Sequence, residues 1–192
     1  MALVDLTERA NPMRRLQALF IAFATAVSLS FVTPGVALAE TSLSEVDAAS
    51  SPYDVERAVT PYVHQTADGR IVFDSTTASA DGASPFVLEV GANLNEYSAS
   101  MFDASNGVAN RDMPGYGNWC GPGNSGPAAP TNTLDRLCMH HDKCYAARGY
   151  FSCSCDDELI ANINREYYRM GTIEKGMANA IKIYFQAAPC NG

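Results

Sequence analysis

Leu137-Cys138-Met139-His140-His141-Asp142-Lys143-Cys144-Tyr145 decides how this chain is read. Within about two helical turns it offers a candidate general base, a hard-metal ligand and two cysteines. Upstream, Tyr116-Gly117-Asn118-Trp119-Cys120-Gly121-Pro122-Gly123 is a glycine-rich loop able to present backbone carbonyls to the same metal. Downstream, Cys153-Ser154-Cys155-Asp156 adds another cysteine pair and a carboxylate. The three pieces together describe a site as well as a fold.

The helical period places the pieces. Pro127-Ala128-Ala129-Pro130 stops regular structure, and Thr131 or Thr133 is expected to cap a helix over Leu134 to Arg148 that ends near Gly149. Leu134, Cys138, His141, Tyr145 and Arg148 share one face of it. A second helix is expected near Asp156, where Asp156, Asp157 and Glu158 suit the positive end of the dipole. Leu159, Ile160, Ile163, Tyr167 and Met170 form its apolar face. Gly171 separates it from a third amphipathic helix carrying Ile173, Met177, Ile181, Tyr184 and Phe185, with Cys190 beyond its end. An aromatic stripe at this period normally faces a core, which is the reading for Tyr167, Tyr184 and Phe185.

The rest of the chain carries weaker signals. Residues 1–39 read as an export signal: Arg14 and Arg15, a largely apolar stretch from Leu16 to Val32, then Ala37-Leu38-Ala39 ahead of Glu40. Glu40 to Ser51 reads as a flexible, Ala/Ser-rich start. Tyr62–Gln65 and Ile71–Phe73 flank Ala67-Asp68-Gly69, which predicts a β-hairpin. His64 within it is expected on the surface. Pro85 to Tyr97 is expected to be helical although it contains Gly91, and Ser105 to Asp112 is expected to be a linker. The division is therefore a signal peptide over 1–39, an N-terminal segment over 40–109 (a pro-region or small αβ unit), and a catalytic-type domain over 110–192.

Composition narrows the classes. Taking the signal's three basic and two acidic residues from 13 and 21 leaves 10 basic and 19 acidic. That balance argues against nucleic acid as a partner and against strong attraction to anionic membranes. All six cysteines lie after the signal, and an even count in an exported chain points to disulfides. Zinc is the alternative, but no Cys-x-x-Cys pair is present. Spacing alone does not choose the pairings.

The chemistry follows from donor type. An Asp142 carboxylate with loop carbonyls is an all-oxygen set that suits Ca2+ better than zinc. Beside such a cation a neutral imidazole can take a proton from water and direct it at a carbonyl. Helical neighbours point about 100° apart, so only one of His140 and His141 faces the cleft. His141 shares a face with Cys138 and Tyr145 and is the candidate, with Asp156 as its orienting carboxylate.

On these residues the chain resembles the secreted phospholipases A2. Tyr116, Gly117, Cys120, Gly121 and Gly123 match that family's Y-G-x-x-C-G-x-G loop. Cys138, His141, Asp142, Cys144 and Tyr145 match C-x-x-H-D-x-C-Y, and Cys153, Cys155 and Asp156 match C-x-C-D. The likeness covers roughly Tyr116 to Met170, about a third of the chain. It implies a mainly α fold built on a disulfide-linked antiparallel helix pair with a third C-terminal helix. It implies Ca2+ held by Asp142 and the carbonyls of Trp119, Gly121 and Gly123, with the Gly121 N–H at the oxyanion. It implies His141 as base, Asp156 as its partner and Tyr145 as a hydrogen-bonding support. The implied bridges are Cys120–Cys138 and Cys144–Cys155, which leaves Cys153 with Cys190.

The resemblance also implies a secreted monomer that hydrolyses the sn-2 ester of phospholipids at a membrane or micelle surface. A non-catalytic, calcium-stabilised lipid- or receptor-binding module on the same scaffold is the alternative. Departures are informative. Asn118 and Leu137 stand where many members carry cysteines, and Asn124 replaces a frequent glycine. Only Ala146 to Ser152 separates the helix pair, so the β-wing of many animal members does not fit and a wingless, microbial-like variant is expected.

Overall fold

The computed structural model describes residues 41–107 and 116–191. The expected export signal, and residues 108–112 of the expected linker, lie outside the described residues. Contacts group 39–192 into one compact unit. The protein is mainly helical with one small antiparallel hairpin, in the order α1 (Pro52–Val59), β1 (Val63–Gln65), β2 (Ile71–Phe73), α2 (Ser75–Ala80), α3 (Pro85–Ser105), α4 (Thr133–Arg148), α5 (Cys153–Glu166) and α6 (Thr172–Ala187). Among the described residues no helix is long and apolar enough to cross a membrane.

The N-terminal part is more ordered than its composition suggests. The stretch read as a flexible start forms a 3-10 turn at Leu43–Glu45, and Val46 is buried. Its few apolar residues find a core, which offsets the entropy of ordering them. The unexpected α1 follows a Ser51 cap that accepts from the Asp54 N–H, with Pro52 in the first turn. The hairpin pairs Val63 with Phe73, His64 with Val72 and Gln65 with Ile71. His64 is exposed, whereas Ile71 and Phe73 point into the core.

The helix expected over Pro85 to Tyr97 continues to Ser105. Gly91 does not break it; a Cβ there would lie 2.1 Å from the Phe73 ring. The glycine is what lets the hairpin sit against α3. Val55, Val59, Phe73, Val87, Val90 and Leu94 build one apolar cluster, to which α6 contributes Ala180 and Ile183.

The motif-bearing half is a helix pair. Asn132, not Thr131 or Thr133, caps α4, its side chain accepting from the Asp135 N–H. Gly149 ends that helix at φ 102°. The second helix begins at Cys153, three residues before the expected Asp156, because Ser152 closes the turn and its carbonyl accepts the Asp156 N–H. Cys144, late in α4, bonds Cys155 early in α5, while Arg136 and Glu166 approach to 3.9 Å at the opposite ends. The two helices therefore run antiparallel. The other disulfides join Cys120 to Cys138 and Cys153 to Cys190.

The third helix departs most from its amphipathic reading. Ile173, expected in the core, is 75% exposed. Beyond Gly176 nearly every side of α6 is buried, including Asn179 and Lys182, because α3 packs on one side and α5 on another. Lys182 Nζ donates to the Pro52 carbonyl at 2.7 Å and pairs with Glu56 at 3.1 Å. Burial pulls its pKa down, and Glu56 opposes that shift. Ile181 and Phe185 join Leu134, Leu137, Leu159 and Ile163 in a second cluster under the helix pair.

Candidate active site

The helix α4 carries the candidate side chains His141 and Tyr145 about one turn apart, with Asp142 beside the first. His141 and Tyr145 are both buried, and each reaches Asp156 on α5. His141 Nε2 lies 2.8 Å from Asp156 Oδ1, and the Tyr145 hydroxyl donates to the same oxygen. With Nε2 carrying the proton shared with Asp156, Nδ1 is the nitrogen left with a lone pair. The imidazole is held between the rings of Tyr145 and Phe185, with centroids 4.2 and 4.8 Å away. His140 is exposed. Desolvation, then the bond to Asp156, raises the Tyr145 hydroxyl pKa far above its ordinary value, so it stays a donor.

A cavity of about 360 Å³ opens over this triad, and Trp119, Gly121, Gly123, Asp142, His141 and Tyr145 all border it. Sequence reasoning missed its far wall, Tyr97 and Met101 of α3, because that helix carries no motif. Tyr97 stacks edge-on to Tyr184 at 5.2 Å. Its burial raises the Tyr97 pKa, and burial likewise pushes Tyr184 up to about 12.

The glycine loop is shaped by a residue the motif reading passed over. Asp135 is completely buried, and its carboxylate accepts from the backbone N–H groups of Asn118, Trp119 and Thr131 and from the Thr131 hydroxyl, at 2.8–3.1 Å. Its position, three residues past the Asn132 cap, reads as an ordinary acidic first-turn residue, which concealed the role. Gly117, at φ 65°, is required beside it: a Cβ would lie 2.3 Å from the Asp135 carboxyl carbon. Cys120–Cys138 ties the other side of the loop to α4.

Among the described residues two buried side-chain oxygens lack a hydrogen-bond partner, one on Asn179 away from the cavity and one, Oδ2, on Asp142 beside it. Burial pushes the Asp142 pKa up to about 6, against the pull of Ser125 and His141. A desolvated carboxylate with an unused oxygen, facing a cavity bordered by loop backbone, suits a hard cation. Among the described residues no three His, Cys, Asp or Glu side chains cluster to hold a metal, so such an ion would draw on backbone oxygens as well. The Gly121 carbonyl already accepts the Asn124 N–H at 3.2 Å, but a carbonyl keeps a second lone pair.

Comparison with known proteins gives local likenesses. The chain is 46% identical over 52 residues to an acidic phospholipase A2 homolog, the taipoxin gamma chain of Oxyuranus scutellatus scutellatus, covering 27% of this chain and 32% of that one. It is 32% identical over 62 residues to a phospholipase A2 of Scolopendra dehaani, covering 32% and 41%. A phospholipase A2 homolog of Oryza sativa subsp. japonica is 42% identical over 53 residues, covering 26% and 32%. These findings support the phospholipase A2 family. The chain spans about a third of the length of these phospholipase A2 relatives, or two fifths for the Scolopendra protein. No family model matches the chain, and no solved structure matches it significantly.

Proposed function

We propose that this chain is a secreted, calcium-dependent phospholipase A2 that hydrolyses the sn-2 acyl ester of phospholipids to a fatty acid and a lysophospholipid. The observation that carries the reading is the 2.8 Å contact of Asp156 with His141, which borders the cavity that Asp142 and the glycine loop share. Asp142 and the carbonyls of Trp119, Gly121 and Gly123 would hold the cation, which when bound polarises the ester carbonyl.

His141 Nδ1 takes a proton from water as that water attacks the ester, and later returns it to the leaving alcohol. Asp156 fixes the imidazole through Nε2 and offsets the positive charge it acquires. Tyr145 holds Asp156 in place from the other side. The Gly121 N–H is assigned to the developing oxyanion. The buried rings of Tyr97 and Phe185 give an acyl chain an apolar surface and keep bulk water from the imidazole.

The division at residue 109 is part of the proposal, with 110–192 carrying the chemistry and 40–109 supplying a cavity wall. The test is fatty-acid release from phosphatidylcholine. His141→Gln is expected to lower the rate by about 10²–10⁴-fold, and a calcium chelator to abolish it. Full activity under both treatments overturns the mechanism. Calcium-dependent lipid binding without any turnover by the native chain would favour the binding-module alternative.

A further inference from the structure

Tyr150 and Phe151, in the short turn between α4 and α5, are 74% and 43% exposed, yet both border the site cavity. Their rings lie 5.6 and 6.2 Å from the ring of Tyr145, so the apolar lining continues outward from the buried triad to the surface. Phe151 has φ 63°, a backbone conformation that strains a bulky residue. The C-terminus holds it there. The Asn191 N–H donates to the Phe151 carbonyl at 2.6 Å, the Cys153 N–H donates to the Asn191 carbonyl at 3.0 Å, and Cys153 is bonded to Cys190. Backbone strain held in place by surrounding structure clusters at binding and clamp positions.

Other exposed large apolar side chains among the described residues are placed differently. Tyr53 and Tyr168 lie beneath the ammonium groups of Lys182 and Lys175, at 5.8 and 5.9 Å, and Ile173 borders no part of the site cavity. The nearest cation to the turn on α4, Arg148, is engaged by the Ser154 hydroxyl and by Glu158 at 4.0 Å. The chain as a whole is acidic, with a formal charge of −8. Arg70, which borders a neighbouring pocket with Phe151, is paired with Asp68 at 3.1 Å, so an apolar and electrically neutral partner suits the turn.

We infer that the Tyr150–Phe151 turn is a docking tip that enters the interface of a zwitterionic phospholipid surface and aligns the cavity mouth with it. The inference rests on the lipid-hydrolase reading above and names where that enzyme touches its aggregate substrate. Tyrosine suits the boundary, with an apolar ring and a hydroxyl that stays wet. A turn already clamped loses little conformational freedom on docking.

The test is sedimentation with phosphatidylcholine vesicles, using His141→Gln protein in calcium so that the lipid is not consumed. Tyr150→Ser is expected to lower partitioning by about tenfold, Tyr150→Trp to preserve or raise it, and Ile173→Ser to leave it unaltered. Equal partitioning of the parent and Tyr150→Ser overturns the inference, as does an equal loss in Ile173→Ser. Binding that strengthens with added phosphatidylserine at matched salt overturns the choice of a neutral surface. Partitioning and hydrolysis are read separately. A native chain that releases no fatty acid, yet binds vesicles through Tyr150, would remove the hydrolase reading and keep the tip.

Discussion

The two halves of this molecule are held together by different means. From Thr41 to Ser105 there is no cysteine, and the segment is fixed by close apolar packing such as Phe73 against Gly91 and by an ion pair between the buried Lys182 and the half-buried Glu56. From Tyr116 onward three disulfides and a buried carboxylate hold loop and helices. The first half relies chiefly on its apolar core. The second surrounds a cavity, which forfeits burial, and covalent and charged restraints take its place.

The comparison is sharpest when each half is damaged in turn. Phe73→Ala removes a 2%-exposed ring from the first half and is expected to cost about 3–5 kcal/mol of stability. Denaturant melts should show this while turnover per folded molecule stays near that of the parent. A matching fall in turnover would mean that the halves do not separate. Asp135→Asn is the converse. It should cost about 1.5–3 kcal/mol in the same melts, with a larger fractional loss in calcium affinity by titration calorimetry. Unchanged calcium affinity would refute the loop-shaping role.

Alkali distinguishes the site from the seam between α6 and α1, with a smaller and graded effect. Burial raises Tyr97, Tyr145 and Tyr184 around the site, the last to about 12. In the unfolded chain such groups lose protons from about pH 10, while the folded ones hold theirs. Their contribution is complete below that pH and is lost as pH rises through the folded values. Lys182, at the seam with α1, is depressed by burial and acts with the opposite sign, its cost easing as pH rises through its folded pKa. Thermal melts between pH 9 and 12 should therefore fall, with tyrosine ionisation tracking the loss. Stability that climbs over that range would show the lysine outweighing the three tyrosines.

Much of the second half was legible because its signals are local. The helix pair follows from its period, although its start residues fell elsewhere, and in the first half Asp-Gly with flanking β-formers places the hairpin. His141 is separated from His140 by helical geometry alone. What escaped is long-range. A single apolar face was visible on α6, yet the helix is buried nearly all round, because Lys182 becomes tolerable only with Glu56, a residue far upstream. Met101 and Tyr97 read as ordinary helix residues until α3 is packed beside α4. Asp135 looks like a common helix-start acid, and only the returning loop makes it a hub. The linker-like Ser105 turned out to be the last residue of a long helix, since nothing before it breaks the chain.

Asp135 sits on the same rod as His141 and Asp142, about two turns before both. When that rod rocks or slides by thermal agitation, the loop it grips is carried along with it, as passengers share the motion of a carriage. Loop oxygens and imidazole then keep their mutual spacing without the whole protein having to be stiff.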